Sequence, residues 1–329
     1  MMYRTIALFG LMFSSLIGAV EEPVSGNWYR DTAAIMGTNI EVQLWAATPE
    51  QGAAAVQQVF IEMERINQLM SPYIETSELS RLNQNASKHP IQVSSEMFEL
   101  LKTAEAYSQL TNGAFDITFA SVGFLFNYRE RVKPTTDQVQ ALAKVINYTL
   151  VKLDSQTRTV RFTHPDVKID LGGIAKGHAV DNAIELIRSM GIKHAMVTAG
   201  GDTRLLGDRL GRDWVVGIRD PRQPDKQAVL LPLSNTAMST SGDYERFFEE
   251  DGVRYHHILS PKTGQSPAEV QSVSIISDSA TANDALSTAV FVLGVTAGLN
   301  LVNQLGDTEA IIMDSQRKLH YSDGLAQQQ

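Results

Sequence analysis

The spacing of apolar residues predicts a strand, a glycine pair and a helix in direct succession near the middle of the chain. The apolar run Val167–Leu171 precedes Gly172-Gly173, and apolar residues then recur at helical spacing from Ile174 to Met190. Gly191 follows, as is typical of a helix C-terminus. Because glycine has no Cβ and the first turn of a helix has free N–H groups, this turn suits an anion. An ordinary strand-to-helix turn is the alternative, since neither the Rossmann nor the P-loop fingerprint is present.

The same patterning divides the rest of the chain into helices and strands. Thr48-Pro49-Glu50-Gln51 has the pattern of a capping box with proline at the first helical position, and it opens a helix that extends to about Met70. A hairpin is predicted with its turn at Asp154-Ser155-Gln156. A strand at Ala195–Thr198 leads to a second glycine pair, Gly200-Gly201. The two glycine pairs, separated by one helix, therefore predict a crossover unit with a ligand edge at the carboxyl ends of its strands.

The remaining elements follow the same rules, and together they predict a mixed α/β (α+β) protein. Further helices or helical turns are predicted at Ser77–Asn83, Ser94–Asn112, Thr135–Ile146 and Ser279–Leu293. Further strands are predicted at Ala34–Trp45 with a break at Met36-Gly37-Thr38, and at Trp214–Ile218, Val229–Leu233, Ala237–Ser241, Tyr255–Leu259, Val273–Ser277, Ala310–Asp314 and Leu319–Tyr321.

Composition limits the classes of function. With 329 residues, 43% of them hydrophobic, the chain can bury a sizeable core in one large or two modest domains. Its net charge of -9 argues against nucleic-acid binding, which requires a basic surface. An anionic ligand would therefore require help from helix termini or from a divalent cation.

The N-terminus predicts export. Arg4 precedes the apolar run Ile6–Val20, which at about fifteen residues is too short to span a bilayer comfortably. Residues 1–19 are therefore predicted to be a signal peptide cut near Ala19, which gives a periplasmic protein, with a retained inner-membrane anchor as the alternative. The chain has no cysteine, hence no disulfide framework, thiolate metal site or lipidated cysteine. Residues 20–30 are predicted to be a linker and 31–329 a single domain of one or two lobes.

Two candidate chemical groups lie in the C-terminal third. Asp284 and Thr288 stand at i, i+4 in a predicted helix, so their oxygen atoms share a face that suits Mg²⁺. Thr281-Ala282-Asn283-Asp284 also matches a capping box, in which Asp284 would only fix the helix start. His256 and His257 lie next to each other on a predicted strand, so one can face a pocket as a proton acceptor. The same geometry argues against a zinc pair, and the absence of a Gly-x-Ser-x-Gly elbow argues against a serine hydrolase.

Eight short motifs follow one another along the chain, and their order is more specific than any one of them. They are Met36-Gly37-Thr38, Met70-Ser71-Pro72-Tyr73, Gly113-Ala114-Phe115-Asp116, Asp170-Leu171-Gly172-Gly173-Ile174-Ala175-Lys176-Gly177, Ala199-Gly200-Gly201-Asp202, Ser239-Thr240-Ser241-Gly242-Asp243-Tyr244, His257-Ile258-Leu259-Ser260-Pro261-Lys262-Thr263-Gly264 and Asp284-Ala285-Leu286-Ser287-Thr288-Ala289. In this order the chain resembles the ApbE family, the FAD:protein FMN transferases. The resemblance implies mixed sheets flanked by helices and a Mg²⁺-dependent enzyme. Such an enzyme transfers the FMN half of FAD to a Thr or Ser hydroxyl through a phosphoester bond and releases AMP.

Carried onto matching positions, the resemblance implies three groups of site residues. FAD would be held by Met36, Tyr73, Ala114, Phe115, Asp116, Asp170, Lys176 and Ile258. The metal would be bound by the backbone carbonyl of Gly173 and the side chains of Asp284 and Thr288. His257 would be the base for the incoming hydroxyl, with phosphate positioning as its alternative role. The implied partner is a membrane redox-complex subunit that carries a Ser-Gly-Ala-Thr-like segment.

Two other functions stay open. In a Mg²⁺-dependent FAD pyrophosphatase, water would replace the protein hydroxyl and free FMN and AMP would appear. A periplasmic flavin-binding protein would bind FAD without turnover. A mass increase on an added partner protein distinguishes the transferase from the pyrophosphatase, and AMP release distinguishes both from the binding protein.

Overall fold

The computed structural model describes residues 25–326, so the predicted signal peptide lies outside the described part. The helices are α1 Pro49–Met70, α2 Glu78–Asn85, α3 Ser95–Leu110, α4 Ala120–Gly123, α5 Thr136–Ala143, α6 Ala175–Ser189, α7 Ala280–Asn303 and α8 Asp323–Ala326. The strands are β1 Asn27–Ile35, β2 Thr38–Ala46, β3 Ile91–Gln92, β4 Val151–Asp154, β5 Thr159–Phe162, β6 Ala195–Ala199, β7 Asp202–Leu206, β8 Trp214–Asp220, β9 Gln223–Leu233, β10 Ala237–Gly242, β11 Phe247–Glu250, β12 Val253–His256, β13 Val270–Ser277, β14 Glu309–Asp314 and β15 Leu319–Tyr321.

One large sheet carries three long helices. Its order is β1-β2-β6-β7-β10-β13-β14-β15, and each neighbouring pair is antiparallel. α1 packs on β1 and β2, α6 on β6 and β7, and α7 on β10 and β13, while α6 contacts both other helices. Smaller antiparallel sheets are formed by β3-β5-β4, β8-β9 and β11-β12. The predicted mixture of helices and sheets is confirmed.

The predicted start and N-cap of the first long helix are confirmed, but the capping box is only half formed, because Gln51 Oε1 accepts from Ala47 N at 3.2 Å rather than from Thr48 N. Pro49 is the first residue of α1, and Thr48 Oγ1 accepts a hydrogen bond from the backbone N–H of Gln51 at 3.2 Å. Met63 and Ile66, which lie on the apolar stripe of α1, are fully buried. Because these side chains face the sheet, the stripe serves packing.

The first strand begins earlier than predicted. β1 starts at Asn27, whereas the sequence indicated Ala34, so the end of the predicted linker belongs to the large sheet. Trp28 packs edge-on against Trp45 and Trp214, with ring centroids 5.5 and 5.3 Å away. These aromatic contacts fix this segment against the sheet.

The predicted strand at Val167–Leu171 and the crossover unit built on it are wrong. Within residues 25–326 the segment pairs with no strand, because its backbone N–H groups bond to loops and side chains. Asp170 N donates to the Ile117 carbonyl at 3.0 Å, and Ile169 N donates to Asn83 Oδ1 at 2.8 Å. The apolar residues of the run are nevertheless buried. Their pattern therefore resembles that of a strand, although the backbone makes no strand-to-strand hydrogen bonds in the described part.

Helix α7 runs through the core. Among residues 25–326 it alone is long and apolar enough to span a membrane, but half of its apolar window is buried inside the fold. It packs against β13, β10 and α6. Its composition is therefore explained by packing in the core.

Candidate active site

The start of α6 lies against the first two turns of α7, and two glycines permit the contact. A Cβ placed on Gly177 would lie 2.2 Å from the Ala280 carbonyl oxygen and 2.9 Å from the Cβ of Asp284. A Cβ placed on Gly173 would lie 3.2 Å from Thr288 Oγ1. The four-residue spacing on α7 thus matches the four-residue spacing of the glycines, and it brings the three predicted metal-binding residues to one side of the contact.

Asp284 does not cap its own helix. The Ser279 side chain accepts the capping hydrogen bond of α7, so the capping box predicted from Thr281 is wrong. Instead, Asp284 Oδ2 accepts a hydrogen bond from Gly177 N at 3.1 Å, and both its oxygens accept from Lys176 Nζ at 3.1 Å. The carboxylate therefore ties α7 to the first turn of α6.

Lys176 is held between two carboxylates. Its Nζ donates to Asp202 Oδ2 at 2.7 Å as well as to Asp284. Burial opposes its charge, but Coulombic attraction by both aspartates and the hydrogen bonds donated to them outweigh burial and raise the pKa of Lys176. Burial, together with repulsion from Asp202, raises the pKa of Asp284 against the opposing effect of Lys176. Asp202 received no role from the sequence; its only signal was its place after a glycine pair.

The residues at the α6–α7 contact fit a hard divalent cation. Gly177 N donates to Asp284, and none of the hydrogen bonds found among residues 25–326 reaches the Gly173 carbonyl oxygen. That carbonyl, the Asp284 carboxylate and the Thr288 hydroxyl are all oxygen donors of the kind that Mg²⁺ prefers. No group of three His, Cys, Asp or Glu side chains that could hold a metal occurs in the described part. A metal here would therefore depend on hydroxyl, backbone and water oxygens as well as on carboxylate.

Two predicted FAD-binding aspartates already have hydrogen-bond donors inside the protein. Asp116 accepts from the N–H and hydroxyl of Thr118 at 2.8 and 2.6 Å, and from Tyr148 N at 2.8 Å. Asp170 Oδ1 accepts from Gly172 N at 2.6 Å. Burial raises the pKa of both carboxyl groups against these hydrogen bonds. They shape the loops around the site, and the Gly172 N–H points to Asp170 rather than being free for an anion.

The other predicted FAD-binding residues occupy different surroundings. Phe115 is buried, and its ring would lie 3.4 Å from a Cβ on Gly173, so the ring lies at the α6–α7 contact. Ala114, the preceding residue, is also buried. Ile258 is buried in the apolar cluster under α7, so its side chain serves packing. Tyr73 is 79% exposed in the loop after α1.

Met36 lies at the turn between β1 and β2. Met36 and Gly37 have φ angles of 55° and 68°, as a two-residue hairpin turn requires. An open groove of about 460 Å³ adjoins the turn, and the end of α1 and Arg129 complete its lining. The predicted contact of Met36 with a ligand is thus accessible from this groove.

His256 and His257 differ in their environments, as their neighbouring positions predicted. His256, the last residue of β12, is buried with its Nε2 2.9 Å from the Pro267 carbonyl oxygen. His257 N donates to the Arg246 carbonyl at 3.1 Å, and its buried Nδ1 has no hydrogen-bond partner in the described part. Burial, and then the charges of Arg246, His256 and Lys176, lower the pKa of His257 to about 3. Its imidazole is therefore neutral at physiological pH and can accept a proton.

Together, these features define a protein of the ApbE class: an eight-stranded sheet whose central helices meet at a glycine-aspartate contact. The model of the ApbE family matches residues 36–312, and the chain belongs to this family. The resemblance seen in the motifs is therefore confirmed.

Individual relatives cover most of the chain. The FAD:protein FMN transferase of Treponema pallidum (strain Nichols) is 30% identical over 316 residues, which are 90% of this chain and 87% of that protein. The FAD:protein FMN transferase of Vibrio cholerae serotype O1 is 35% identical over 245 residues, 72% of each chain. Among solved structures, the ApbE protein of Thermotoga maritima has a TM-score of 0.85 at 34% identity, with 92% of this chain and 99% of that chain covered. The flavin transferase ApbE of Vibrio cholerae has a TM-score of 0.82 at 28% identity, with the same coverage.

Proposed function

We propose that this chain is a Mg²⁺-dependent FAD:protein FMN transferase that modifies a Thr or Ser hydroxyl of a partner protein and releases AMP. The observation that supports the proposal is the α6–α7 contact: Gly177 N bonds to Asp284 across it, Gly173 faces Thr288, and the Gly173 carbonyl accepts no hydrogen bond within residues 25–326. The names of the relatives in Treponema and Vibrio support FAD as the donor and FMN as the group transferred.

The reaction exchanges one phosphorus–oxygen bond for another. The acceptor hydroxyl oxygen forms a bond to the FMN-side phosphorus of FAD, and the bond from that phosphorus to the bridging oxygen breaks. AMP leaves with the bridging oxygen, and the hydroxyl proton passes to a base. Such transfers depend mainly on positioning the reacting groups and on stabilising the charge that develops on phosphorus-bound oxygens. We propose that this site provides both.

Gly173, Asp284 and Thr288 would hold Mg²⁺, which when bound neutralises charge on the diphosphate. Lys176 keeps Asp284 oriented through hydrogen bonds to both carboxylate oxygens. The ammonium also compensates the buried charge of Asp202, without which two carboxylates would repel each other in the interior. The protein thereby holds Asp284 ready as a ligand.

His257 is the base in this proposal. Its imidazole is neutral because burial and neighbouring cations lower its pKa, so it is available to accept the hydroxyl proton. An anionic diphosphate bound nearby would offset those cations and raise the pKa of His257 toward the range of an effective base. The base is therefore strengthened by the substrate on which it acts.

The proposal extends to cellular location. Residues 1–19 would direct export to the periplasm, where the partner would be a membrane redox-complex subunit with a Ser-Gly-Ala-Thr-like segment. The lack of cysteine is compatible with an oxidising compartment.

The test combines the purified protein, FAD and Mg²⁺ with such a partner subunit. Intact mass of the partner and AMP release are measured together, with a chelator arm and with a partner whose acceptor Thr is replaced by Ala. We expect equal amounts of FMN-modified partner and AMP, both lost with chelator, and no modification of the Ala partner. Free FMN and AMP without a mass gain would indicate the pyrophosphatase instead, and FAD binding without AMP would indicate the binding protein.

A further inference from the structure

We infer that Arg246 is the cation that binds the diphosphate of FAD, an assignment that rests on the proposed function and that no motif in the sequence suggested. The family resemblance places Lys176 among the FAD-binding residues, but in the structure carboxylate oxygens accept its hydrogen bonds. Its three hydrogen bonds go to Asp202 and to both oxygens of Asp284. Because the cluster contains two carboxylates and one ammonium, it has no net positive charge that could attract a diphosphate.

Arg246 lies close to three of the residues that the proposed function uses. Its carbonyl accepts the hydrogen bond from His257 N at 3.1 Å, which fixes the residue next to the proposed base. Its Nη2 would lie 3.4 Å from a Cβ on Gly37, so the guanidinium reaches the hairpin turn that contains Met36. Its charge contributes to the lowered pKa of His257 and opposes the rise in the pKa of Asp170 that burial causes, so both groups lie within its electrostatic reach.

Within the described part of the chain, Arg246 differs from the arginines around it in having no acidic partner. Arg219 pairs with Glu245, while Arg222 and Arg254 both pair with Asp243. Among residues 25–326, the Arg246 guanidinium forms no ion pair and no hydrogen bond. Arg246 is also exposed to solvent. A guanidinium that reaches the Met36 turn from a residue bonded to the His257 backbone is suited to a diphosphate, since its planar fork can donate two parallel hydrogen bonds to phosphate oxygens.

The variants Arg246→Gln and Arg246→Lys test the assignment in the full-length protein. Arg188→Gln is the matched control, because Arg188 lies at the far end of α6 and, among the residues that the structure describes, pairs only with Glu185. Dissociation constants are measured for FAD, which carries the diphosphate, and for riboflavin, which carries no phosphate. Loss of a charge-assisted pair predicts FAD binding weaker by about 10- to 100-fold in Arg246→Gln, with riboflavin binding unchanged. Arg246→Lys should recover part of the loss, and Arg188→Gln should bind both ligands as the wild type does.

Two results would overturn the assignment. One is FAD binding in Arg246→Gln within twofold of the Arg188→Gln control. The other is an equal loss for FAD and riboflavin, which would assign Arg246 to the shape of the pocket rather than to the diphosphate. These outcomes are separable from the proposed function: a wild type that binds FAD but modifies no partner refutes the transfer reaction alone, whereas transfer with unaltered FAD affinity in Arg246→Gln refutes the assignment alone.

Discussion

Gly177 donates its backbone N–H to a carboxylate oxygen of Asp284 at 3.1 Å across the contact between α6 and α7. In a regular helix start this N–H would point to the carbonyl four residues earlier, which is that of Gly173. The diversion leaves the Gly173 carbonyl without a hydrogen-bond donor in the described part and orients the Asp284 carboxylate. One hydrogen bond therefore prepares two of the three proposed metal ligands.

Gly177→Ala should force the two helices apart. The added Cβ would lie 2.2 Å from the Ala280 carbonyl oxygen, a backbone atom that cannot move alone. We expect a loss of about 1–3 kcal/mol in the free energy of unfolding, measured in urea. Gly173→Ala is the control, because its nearest contact is a side-chain hydroxyl at 3.2 Å, and it should cost less than about 1 kcal/mol. Equal losses in the two variants would contradict the packing described for this contact.

Tyr73→Ala should weaken FAD binding and leave stability unchanged. Tyr73 is 79% exposed, so its removal should change the free energy of unfolding by less than about 0.5 kcal/mol. A stacking contact with the flavin predicts a loss of about two- to tenfold in affinity, measured by flavin fluorescence. Leu230→Ala, which removes a side chain 62% exposed on β9, should alter neither quantity. FAD affinity equal in the two variants would remove Tyr73 from the site.

His257 should titrate far below an ordinary histidine. Its pKa is lowered to about 3, against about 6.5 in the unfolded chain, so the unfolded state binds more protons between these values. The stability that depends on neutral His257 is therefore present above pH 6.5 and is lost as the pH falls toward 3. Imidazole proton shifts in NMR should give a pKa below 5 without ligand. A pKa near 6.5 would contradict the burial and the cationic neighbours described here.

The same argument predicts the stability of a variant. Between pH 6.5 and 4, His257→Gln should lose less unfolding free energy than the wild type, because it no longer gains a proton on unfolding. His89→Gln, which alters an exposed histidine, should follow the wild type. Parallel curves for all three proteins would show that His257 titrates normally.

The parts of the fold that depend on local pattern were predictable from the sequence. The capping signals at Thr48 and Pro49 set the start of α1, and Gly191 closes α6 with a φ angle of 80°. The strand predicted at Val167–Leu171 failed because its alternating burial is achieved in a loop whose N–H groups bond to other loops and side chains. The periodicity of apolar residues indicates which side chains are buried. It does not identify the partner strand that the hydrogen bonds of a β-sheet require.

The site was predictable in its residue types but not in their contacts. Spacing left Asp284 open between a helix cap and a metal ligand, and the cap supplied by Ser279, together with the contact to α6, decides against the capping role. Lys176 meets Asp202 and Asp284 across 26 and 108 positions of sequence, so no local signal shows that its charge is already engaged. Arg246 lies two residues beyond a family motif and carries no spacing signal of its own.

The magnesium dependence of FMN transfer in a pair of aspartate variants shows whether Asp284 binds the metal. Asp284→Asn preserves an oxygen acceptor for Gly177 but removes the proposed ligand charge, whereas Asp202→Asn alters the other carboxylate on Lys176. With both variants folded, transfer to the partner subunit is measured across Mg²⁺ concentrations. We predict a fall of at least about 100-fold in Asp284→Asn at every concentration, and Mg²⁺-dependent transfer within about tenfold of wild type in Asp202→Asn. Wild-type transfer in Asp284→Asn would contradict the account.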